Sequence, residues 1–308
     1  MMVVGFLVGV WLIRRLSRSF TPDPRLVTSI ALYALLGGVV GARLFYVVHY
    51  IEKFRSHPVE VFYIWQGGLE LLGGVILAIA VILLCLLYHK LPMRRYFDVL
   101  AVGLMMGIVF GRIGCFLYAD CYGKPTNLPW GVRFPYNSFI YVSQINPDLK
   151  RNRPDPQLKL PKADYLHYVD ISGNWHPKPC DYLNAGQKFE VTKGKYRCLP
   201  IHPTQLYSSA NAALLCLILY LFWRRAQNAV RAGKDENLFT RPGCIFSLMF
   251  VLYGITRFFI EFVRDDNPLE FDSLTISQNI SIALIVLGVL LLIIFNRRKA
   301  LKTNIAEP

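Results

Sequence analysis

The chain has 308 residues, of which 54% are hydrophobic, and it carries a formal net charge of +14. A soluble protein of this length would distribute its apolar residues periodically, but here they are collected in long blocks separated by polar segments. A helix of about 20 apolar residues crosses the ~30 Å hydrocarbon layer of a membrane. The basic residues lie between the blocks, which is typical of topology signals and of contact with anionic lipid, so no nucleic-acid partner is expected.

The first apolar block, residues 2–13, is too short for a full membrane span and is followed by Arg14 and Arg15. A secretory signal peptide carries its basic residues in front of the apolar run, so this block is interpreted as the second half of a short or truncated first helix. Six longer blocks follow at residues 26–50, 68–88, 97–118, 205–223, 244–263 and 276–295. The sequence therefore predicts an all-α polytopic membrane protein with seven transmembrane helices.

The loops after the first, third, fifth and seventh blocks are rich in arginine and lysine, whereas the short loops on the other side are poorer in them. Basic loops stay in the cytoplasm, so this predicts a cytoplasmic C-terminus and an N-terminus outside. The long polar segment between the fourth and fifth helices then forms an extracytoplasmic, loop-rich insert. The predicted organisation is helices one to four in residues 1–123, the insert in 124–200, and helices five to seven with a cytoplasmic tail in 201–308.

Two cysteines of the insert, Cys180 and Cys198, are predicted to form a disulfide because the segment is expected in an oxidising compartment. The alternative is a zinc site, since His176 precedes Cys180 and His202 follows Cys198 at spacings that zinc motifs use. The disulfide is the preferred interpretation.

Arg112 places a positive charge inside the apolar segment 97–118. An arginine near hydrocarbon costs about 2.5–3.5 kcal/mol at a helix centre on insertion scales, so such residues are rare and mark functional sites. The alternative is that its side chain snorkels to the outer interface. The glycines that precede it at every fourth position are interpreted as a helix-packing face.

The sixth span carries Arg257, Glu261 and Arg264 on one helix face, at positions i, i+4 and i+7. An internal Arg257–Glu261 ion pair would neutralise one arginine, but it would leave Arg112 unpaired at a similar depth. Arg43 adds a further cation in the outer part of the second span. Several guanidiniums and few carboxylates at one depth indicate an anionic ligand, and phosphate suits the planar guanidinium fork. A phospholipid headgroup is the phosphate expected there.

The fifth span also begins at the predicted outer face, with His202, Gln205 and Tyr207 in its first turns. An interfacial histidine is commonly a hydrogen-bonded structural residue, but this one shares its level with the arginines. Asp120 and Glu70 are interpreted as counter-ions, with a role as general base as the alternative.

Several sequence motifs resemble those of the prolipoprotein diacylglyceryl transferase family and occur in the same order along the chain. They lie in segments 41–44, 65–68, 111–123, 125–131, 202–207, 253–264 and 274–278. The resemblance implies an integral enzyme of the bacterial cytoplasmic (inner) membrane. It implies transfer of the diacylglyceryl group of phosphatidylglycerol to the lipobox cysteine thiol of a prolipoprotein signal peptide, with release of glycerol phosphate. The implied partners are these two substrates and membrane lipids, and neither cofactor nor metal is expected.

By position, the resemblance makes Arg112 and Arg257 the two essential arginines, and His202 is the remaining histidine candidate for the base. The expected substrate-binding residues are Arg43, Gly114, Cys115, Asp120, Gly123, Gln205, Tyr207, Glu261 and Arg264. The chain departs from the family pattern at four places. Cys115 replaces an asparagine, Asp120 a glutamate, and Leu72 a histidine proposed as catalytic, and a tyrosine expected just upstream of the first helix is missing.

Two alternative functions belong to other classes. A homologue that binds phosphatidylglycerol or signal peptides without catalysis would be consistent with Leu72. An anion or lipid transporter would also bury arginines in a helical bundle, but it would place them near the midplane and show internal repeats. The predicted position of the charges in the outer half favours chemistry on lipid of the outer leaflet.

Overall fold

The computed structural model describes residues 1–21, 23, 25–56, 58–63, 65, 67–170, 173–232, 241–270 and 274–297. Its helices are α1 (Met2–Ser17), α2 (Arg25–His49), α3 (Ile51–Ser56), α4 (Leu71–Tyr88), α5 (Met93–Tyr118), α6 (Phe139–Ile145), α7 (Lys162–Tyr165), α8 (Ala185–Thr192), α9 (Thr204–Arg231), α10 (Cys244–Glu261) and α11 (Ile276–Arg297). Four short strands are β1 (Leu166–Val169), β2 (Trp175–Pro177), β3 (Leu269–Glu270) and β4 (Leu274–Thr275). Both strand pairs, β1–β2 and β3–β4, are antiparallel.

Within these described residues, six helices are long and apolar enough to cross a membrane. They are α2, α4, α5, α9, α10 and α11. The prediction of a polytopic helical membrane protein is therefore confirmed. The first helix, α1, has 16 residues and is not among the six.

The chain divides into two compact units. The first contains residues 1–5, 105–219 and 247–308, and the second contains residues 6–104 and 220–246. The second unit includes a close pair of helices, α2 and α4, in which glycines face each other. A Cβ atom added to Gly41 would lie 2.5 Å from the carbonyl oxygen of Gly73, so the two backbones meet where side chains are absent.

The first unit contains the segment between α5 and α9, which folds around its own buried core. Tyr122, Ile140, Tyr141, Cys198 and Ile201 form much of this core. Burial raises the pKa of the Tyr141 phenol, whose hydroxyl donates to the carbonyl of Tyr196 at 2.9 Å. The segment is therefore organised by apolar packing as well as by turns.

The predicted disulfide between Cys180 and Cys198 is wrong, because both thiols are free. Cys198 is buried in the core and its thiol donates to Gln144 Oε1 at 3.4 Å, whereas Cys180 is exposed in a short 3-10 turn. The two thiols do not meet because Cys198 packs into the core whereas Cys180 lies at the surface. The zinc alternative is not formed either: among the described residues these cysteines belong to no metal-compatible group, and His176 Nε2 lies 3.1 Å from Asp170 Oδ2.

Candidate active site

The site is built where α5 ends, six residues beyond Arg112. The Asp120 amide donates to the Cys115 carbonyl at 3.2 Å and the Ala119 amide to the Phe116 carbonyl at 3.3 Å, which is a Schellman motif. The left-handed position of this motif is held by Ala119 at φ 62°, where glycine is usual. The resulting reversal brings Asp120 back alongside Cys115.

An extended stretch after this turn is paired on both sides. The Lys124 amide donates to Val263 at 2.9 Å, and the His202 amide donates to the Lys124 carbonyl at 3.0 Å. Gly123 forms a bridge with Arg264, and a Cβ atom there would lie 2.6 Å from the His202 carbonyl oxygen. Only glycine fits this approach, so Gly123 lets the ends of α5 and α10 and the start of α9 meet.

The first turn of α9 is tied to the turn after α5 by two buried side chains. Thr204 Oγ1 donates to the Cys121 carbonyl at 2.8 Å, and Gln205 Nε2 donates to the Asp120 carbonyl at 2.6 Å. The predicted residues Gln205 and Asp120 are therefore in direct contact through the Asp120 backbone.

His202 and Tyr207, which were also predicted, form a second contact at the same end of α9. His202 Nδ1 lies 3.3 Å from the Tyr207 hydroxyl, and the indole nitrogen of Trp130 donates to that hydroxyl at 2.7 Å. His202 is thus oriented by Tyr207, whose hydroxyl also accepts from Trp130 of the preceding loop.

The charged cluster of α10 contains the predicted ion pair. Arg257 Nη1 lies 2.8 Å from Glu261 Oε2, and Arg257 Nη2 donates to Ser277 Oγ at 2.8 Å. Glu261 is 4% exposed and accepts further hydrogen bonds from Thr275 Oγ1, at 3.0 Å, and from Asn267 Nδ2. One buried carboxylate therefore fixes Arg257 and the turn before α11.

Arg264 is held mainly by a residue that the sequence did not indicate. Its Nε donates to Asp266 Oδ1 at 2.8 Å, its Nη2 donates to Asp266 Oδ2, and Glu261 lies 3.7 Å away. Burial alone would lower the pKa of Arg264, but the hydrogen bond and charge of Asp266 outweigh it and raise that pKa. Arg264 is therefore a charged residue that Asp266 holds in place through two hydrogen bonds.

The start of α11 is a reciprocal cap. Gln278 Oε1 accepts from the Thr275 amide at 3.0 Å, and Thr275 Oγ1 accepts from the Gln278 amide at 3.3 Å. The Thr-x-x-Gln pattern is a capping box, and it is the sequence signal that would have placed Thr275 at this helix start. The same Thr275 hydroxyl donates to Glu261, so the cap also fixes the charged cluster.

Arg112 differs from these paired arginines. It is half-buried, and its charge acts on both Arg257 and Cys115. Within the part of the chain that the structure describes, its guanidinium forms neither a hydrogen bond nor an ion pair. Its donors are therefore available beside a second arginine that is already oriented.

Arg43, in the second unit, is buried and donates to backbone carbonyls. Its partners are Val61 and Gly67, both at 2.8 Å, Gly68 at 3.0 Å, and Glu60. These bonds hold the loop that leads into α4.

The second unit also contains a histidine that the sequence analysis missed. His49 Nδ1 lies 2.9 Å from Glu70 Oε1, and both side chains are accessible. Leu72, two residues after Glu70, is 66% exposed. His49 closes an apolar block and has no motif around it, so only the loop between α2 and α4 reveals the pair.

Comparison with known proteins gives a consistent result. The family model described as prolipoprotein diacylglyceryl transferase matches residues 1–294. The chain is similar to the phosphatidylglycerol–prolipoprotein diacylglyceryl transferase of Synechococcus elongatus, with 27% identity over 302 residues that cover 98% of this chain and 84% of the relative. The proteins of the same name from Methylocella silvestris and Xanthomonas oryzae pv. oryzae are each 28% identical to it. These alignments cover 97% and 90% of this chain, and 87% and 78% of the relatives. The chain belongs to the prolipoprotein diacylglyceryl transferase family.

Proposed function

We propose that this chain transfers the diacylglyceryl group of phosphatidylglycerol to the lipobox cysteine thiol of a prolipoprotein signal peptide. The observation that carries the proposal is the pair of neighbouring guanidiniums, one oriented and one with its donors available. Arg257 is held by Glu261 and Ser277, whereas Arg112 has no partner among the described residues. The names of the relatives, which include both substrates, agree with this assignment.

The phosphate diester of the lipid fits between these two arginines. A guanidinium donates two parallel hydrogen bonds to phosphate oxygens, and such charge-assisted bonds are about twice as strong as neutral ones. Glu261 prevents Arg257 from rotating away, so the site is organised before the lipid arrives. Arg112 and Arg257 then stabilise the negative charge that develops on the leaving phosphate.

The reaction is a displacement at the glycerol carbon that bears the phosphate. The sulfur of the substrate cysteine forms a bond to this carbon while the carbon–oxygen bond to phosphate breaks, and glycerol phosphate leaves with the electron pair. The thiol must lose its proton, and nearby cations favour the thiolate. His202 is the proposed acceptor of that proton, because Tyr207 holds its ring at the start of α9.

Seven residues of the first unit are proposed to complete the substrate-binding wall. Arg264 maintains the charge balance around Glu261. The others lie at the end of α5, in the turn after it and at the start of α9: Gly114, Cys115, Asp120, Gly123, Gln205 and Tyr207. In the second unit, Arg43 organises the loop before α4 and is proposed as a separate contact for the lipid.

The proposed membrane arrangement follows from the basic loops. Arg14 and Arg15 end the apolar part of α1, which we propose as a seventh, short span with its N-terminus outside. We propose that the protein lies in the bacterial inner membrane with its C-terminus in the cytoplasm. The segment 124–200 then lies on the opposite side of the membrane. Arg112, near the end of α5, lies at that outer side, where a phospholipid headgroup of the outer leaflet would meet it.

A second candidate is a homologue that binds the lipid or the signal peptide without transferring the lipid group. The observation that favours it is Leu72 at the position of the family histidine. A transporter is disfavoured by the family membership.

The deciding experiment uses the purified full chain in detergent with acyl-labelled phosphatidylglycerol and a lipobox peptide. We expect a labelled thioether product, and we expect Arg112→Ala and Arg257→Ala each to slow its formation by about 10²–10³-fold. Arg225→Ala, which removes an exposed arginine of α9, is the matched control and should remain active. Lipid binding without product by the unaltered chain would support the inactive homologue instead.

A further inference from the structure

Three potential metal ligands converge at the turn after α5. Cys115 Sγ, a carboxylate oxygen of Asp120 and Cys121 Sγ all lie within 4.8 Å of one another. The two cysteines are half-buried, so the group is reachable from outside. The geometry that brings them together is the Schellman reversal at Ala119, followed by Cys121 in the left-handed region at φ 54°.

From this geometry we propose that Cys115, Asp120 and Cys121 bind a thiophilic divalent cation such as Zn²⁺. Zinc prefers cysteine, histidine and carboxylate ligands in a tetrahedral arrangement. With bonds of about 2.3 Å to sulfur, a tetrahedral ion holds two sulfurs about 3.8 Å apart, so the observed separations need to close by no more than about 1 Å. Three protein ligands leave the fourth position to water.

A second observation points to a cation at this place. Asp120 Oδ1 and Gln205 Oε1 are buried acceptors with no hydrogen-bond partner among the described residues. Gln205 is 0% exposed, and its amide nitrogen donates to the Asp120 carbonyl, so its side chain lies against the cluster. Two orphaned acceptor oxygens beside two thiols favour a bound cation or a water that a cation orients.

Two guanidiniums act on the cluster. The charge of Arg112 acts on Cys115, and the charge of Arg264 acts on Cys121. A divalent ion with two thiolates and one carboxylate is a net anion, and these two guanidiniums balance it. Because the cysteine ligands must lose their protons, the affinity should rise with pH as metal displaces protons.

The test is a cobalt titration of the reduced full chain in detergent, since Co²⁺ substitutes for zinc and reports thiolate ligands by absorption. We expect a sulfur-to-cobalt charge-transfer band that Zn²⁺ abolishes. Cys121→Ser and, separately, Asp120→Asn should weaken cobalt binding by about tenfold or more, at least the effect of losing an outer-shell partner. Cys180→Ser removes an exposed cysteine elsewhere and should leave the titration unchanged.

Three results would overturn the proposal. One is the absence of the charge-transfer band in the unaltered chain. Another is equal cobalt affinity of the unaltered chain and Cys121→Ser, with thermal unfolding showing that both are folded. The third is a Cys115–Cys121 disulfide that persists under reduction and leaves no thiols to bind metal.

One consequence rests on the proposed function. If Cys115 and Asp120 line the substrate site, a bound ion would compete with the lipid phosphate for Arg112. Zn²⁺ should then inhibit transfer by the unaltered chain and inhibit Cys121→Ser at least tenfold less. Equal inhibition of both would overturn this competition, whereas inactivity of both without metal would count against the proposed function and not against the metal site.

Discussion

The carboxylate of Glu261 is the fixed anion against which Arg257 is positioned, with Glu261 Oε2 and Arg257 Nη1 2.8 Å apart. Glu261 is 4% exposed, and its second oxygen accepts from Thr275 and Asn267. The pair therefore lies inside a hydrogen-bonded network and not at a solvated helix surface. A buried ion pair of this kind is weak evidence for stability, but the loss of one partner leaves an uncompensated charge.

We expect Glu261→Gln to destabilise the protein by about 3–5 kcal/mol, because Arg257 would keep its charge in a buried position without a carboxylate. The substitution preserves side-chain shape, so the effect reports charge and not cavity formation. Thermal unfolding in detergent is the measurement, and Glu52→Gln at an exposed position of α3 is the control. Equal melting temperatures for the two variants would contradict the view that Glu261 compensates Arg257.

Arg112→Lys should lower kcat strongly although the charge is retained. A lysine ammonium cannot make the bidentate contact of a guanidinium fork, so stabilisation of the leaving phosphate would be reduced. We expect a loss of about 10²–10³ for Arg112→Ala, the range observed when one transition-state donor is removed, and an intermediate loss for Arg112→Lys. If both variants changed KM alone, Arg112 would bind the lipid without acting on the leaving group.

The proton acceptor can be identified by comparing the two histidine pairs. If His202 is the base, His202→Gln should reduce kcat/KM by about 10²–10⁴. Tyr207→Phe should give a smaller loss, because it removes the 3.3 Å contact that orients the ring. His49→Gln is the matched comparison, since His49 pairs with Glu70. Loss of activity in His49→Gln, with His202→Gln active, would transfer the role to His49.

The parts of the site that follow from helical periodicity could be predicted from the sequence. Arg257 and Glu261 are four residues apart on α10, so their contact needs only a helix. The same spacing argument left Arg112 unpaired, and among the described residues it has no partner. The six long apolar helices were likewise visible as blocks of apolar residues.

The parts that depend on chain reversal could not be predicted. Asp266 binds Arg264 because the chain turns back after α10, and His49 meets Glu70 through the loop between α2 and α4. The cysteine prediction failed for the same reason, since spacing does not say that Cys198 faces a core and packs against Gln144. Periodicity fixes contacts within an element, but loop geometry decides which elements meet.

The free thiols of the segment between α5 and α9 should react very differently. Burial raises the pKa of Cys198, which reduces its thiolate fraction and its access to reagent, whereas Cys180 is exposed. We expect a maleimide to label Cys180 rapidly in the folded chain and Cys198 only after denaturation, as read by peptide mass spectrometry. A Cys180–Cys198 linked peptide from non-reduced protein would contradict the structure. Equal labelling rates in the folded chain would show that Cys198 is not buried.

Two glycines of the first unit allow a matched test of the close contact between the stretch after α5 and the start of α9. A Cβ atom at Gly123 would meet the His202 carbonyl oxygen at 2.6 Å, whereas one at Gly107 would have open space around it. Gly123→Ala should therefore destabilise the protein by about 1–3 kcal/mol, because it separates the stretch after α5 from the start of α9. Gly107→Ala should be neutral or stabilise α5 by up to about 1 kcal/mol through helix propensity.

Transfer activity, measured on these two variants, distinguishes a local change in the site from a loss of folding. If Gly123 acts by positioning His202 and Gln205, transfer by Gly123→Ala should fall at temperatures where the variant is still fully folded. Gly107→Ala should keep its activity over the same range. An active Gly123→Ala variant with normal melting would mean that the backbone can yield at the His202 carbonyl, and the close approach would then not be needed to build the site.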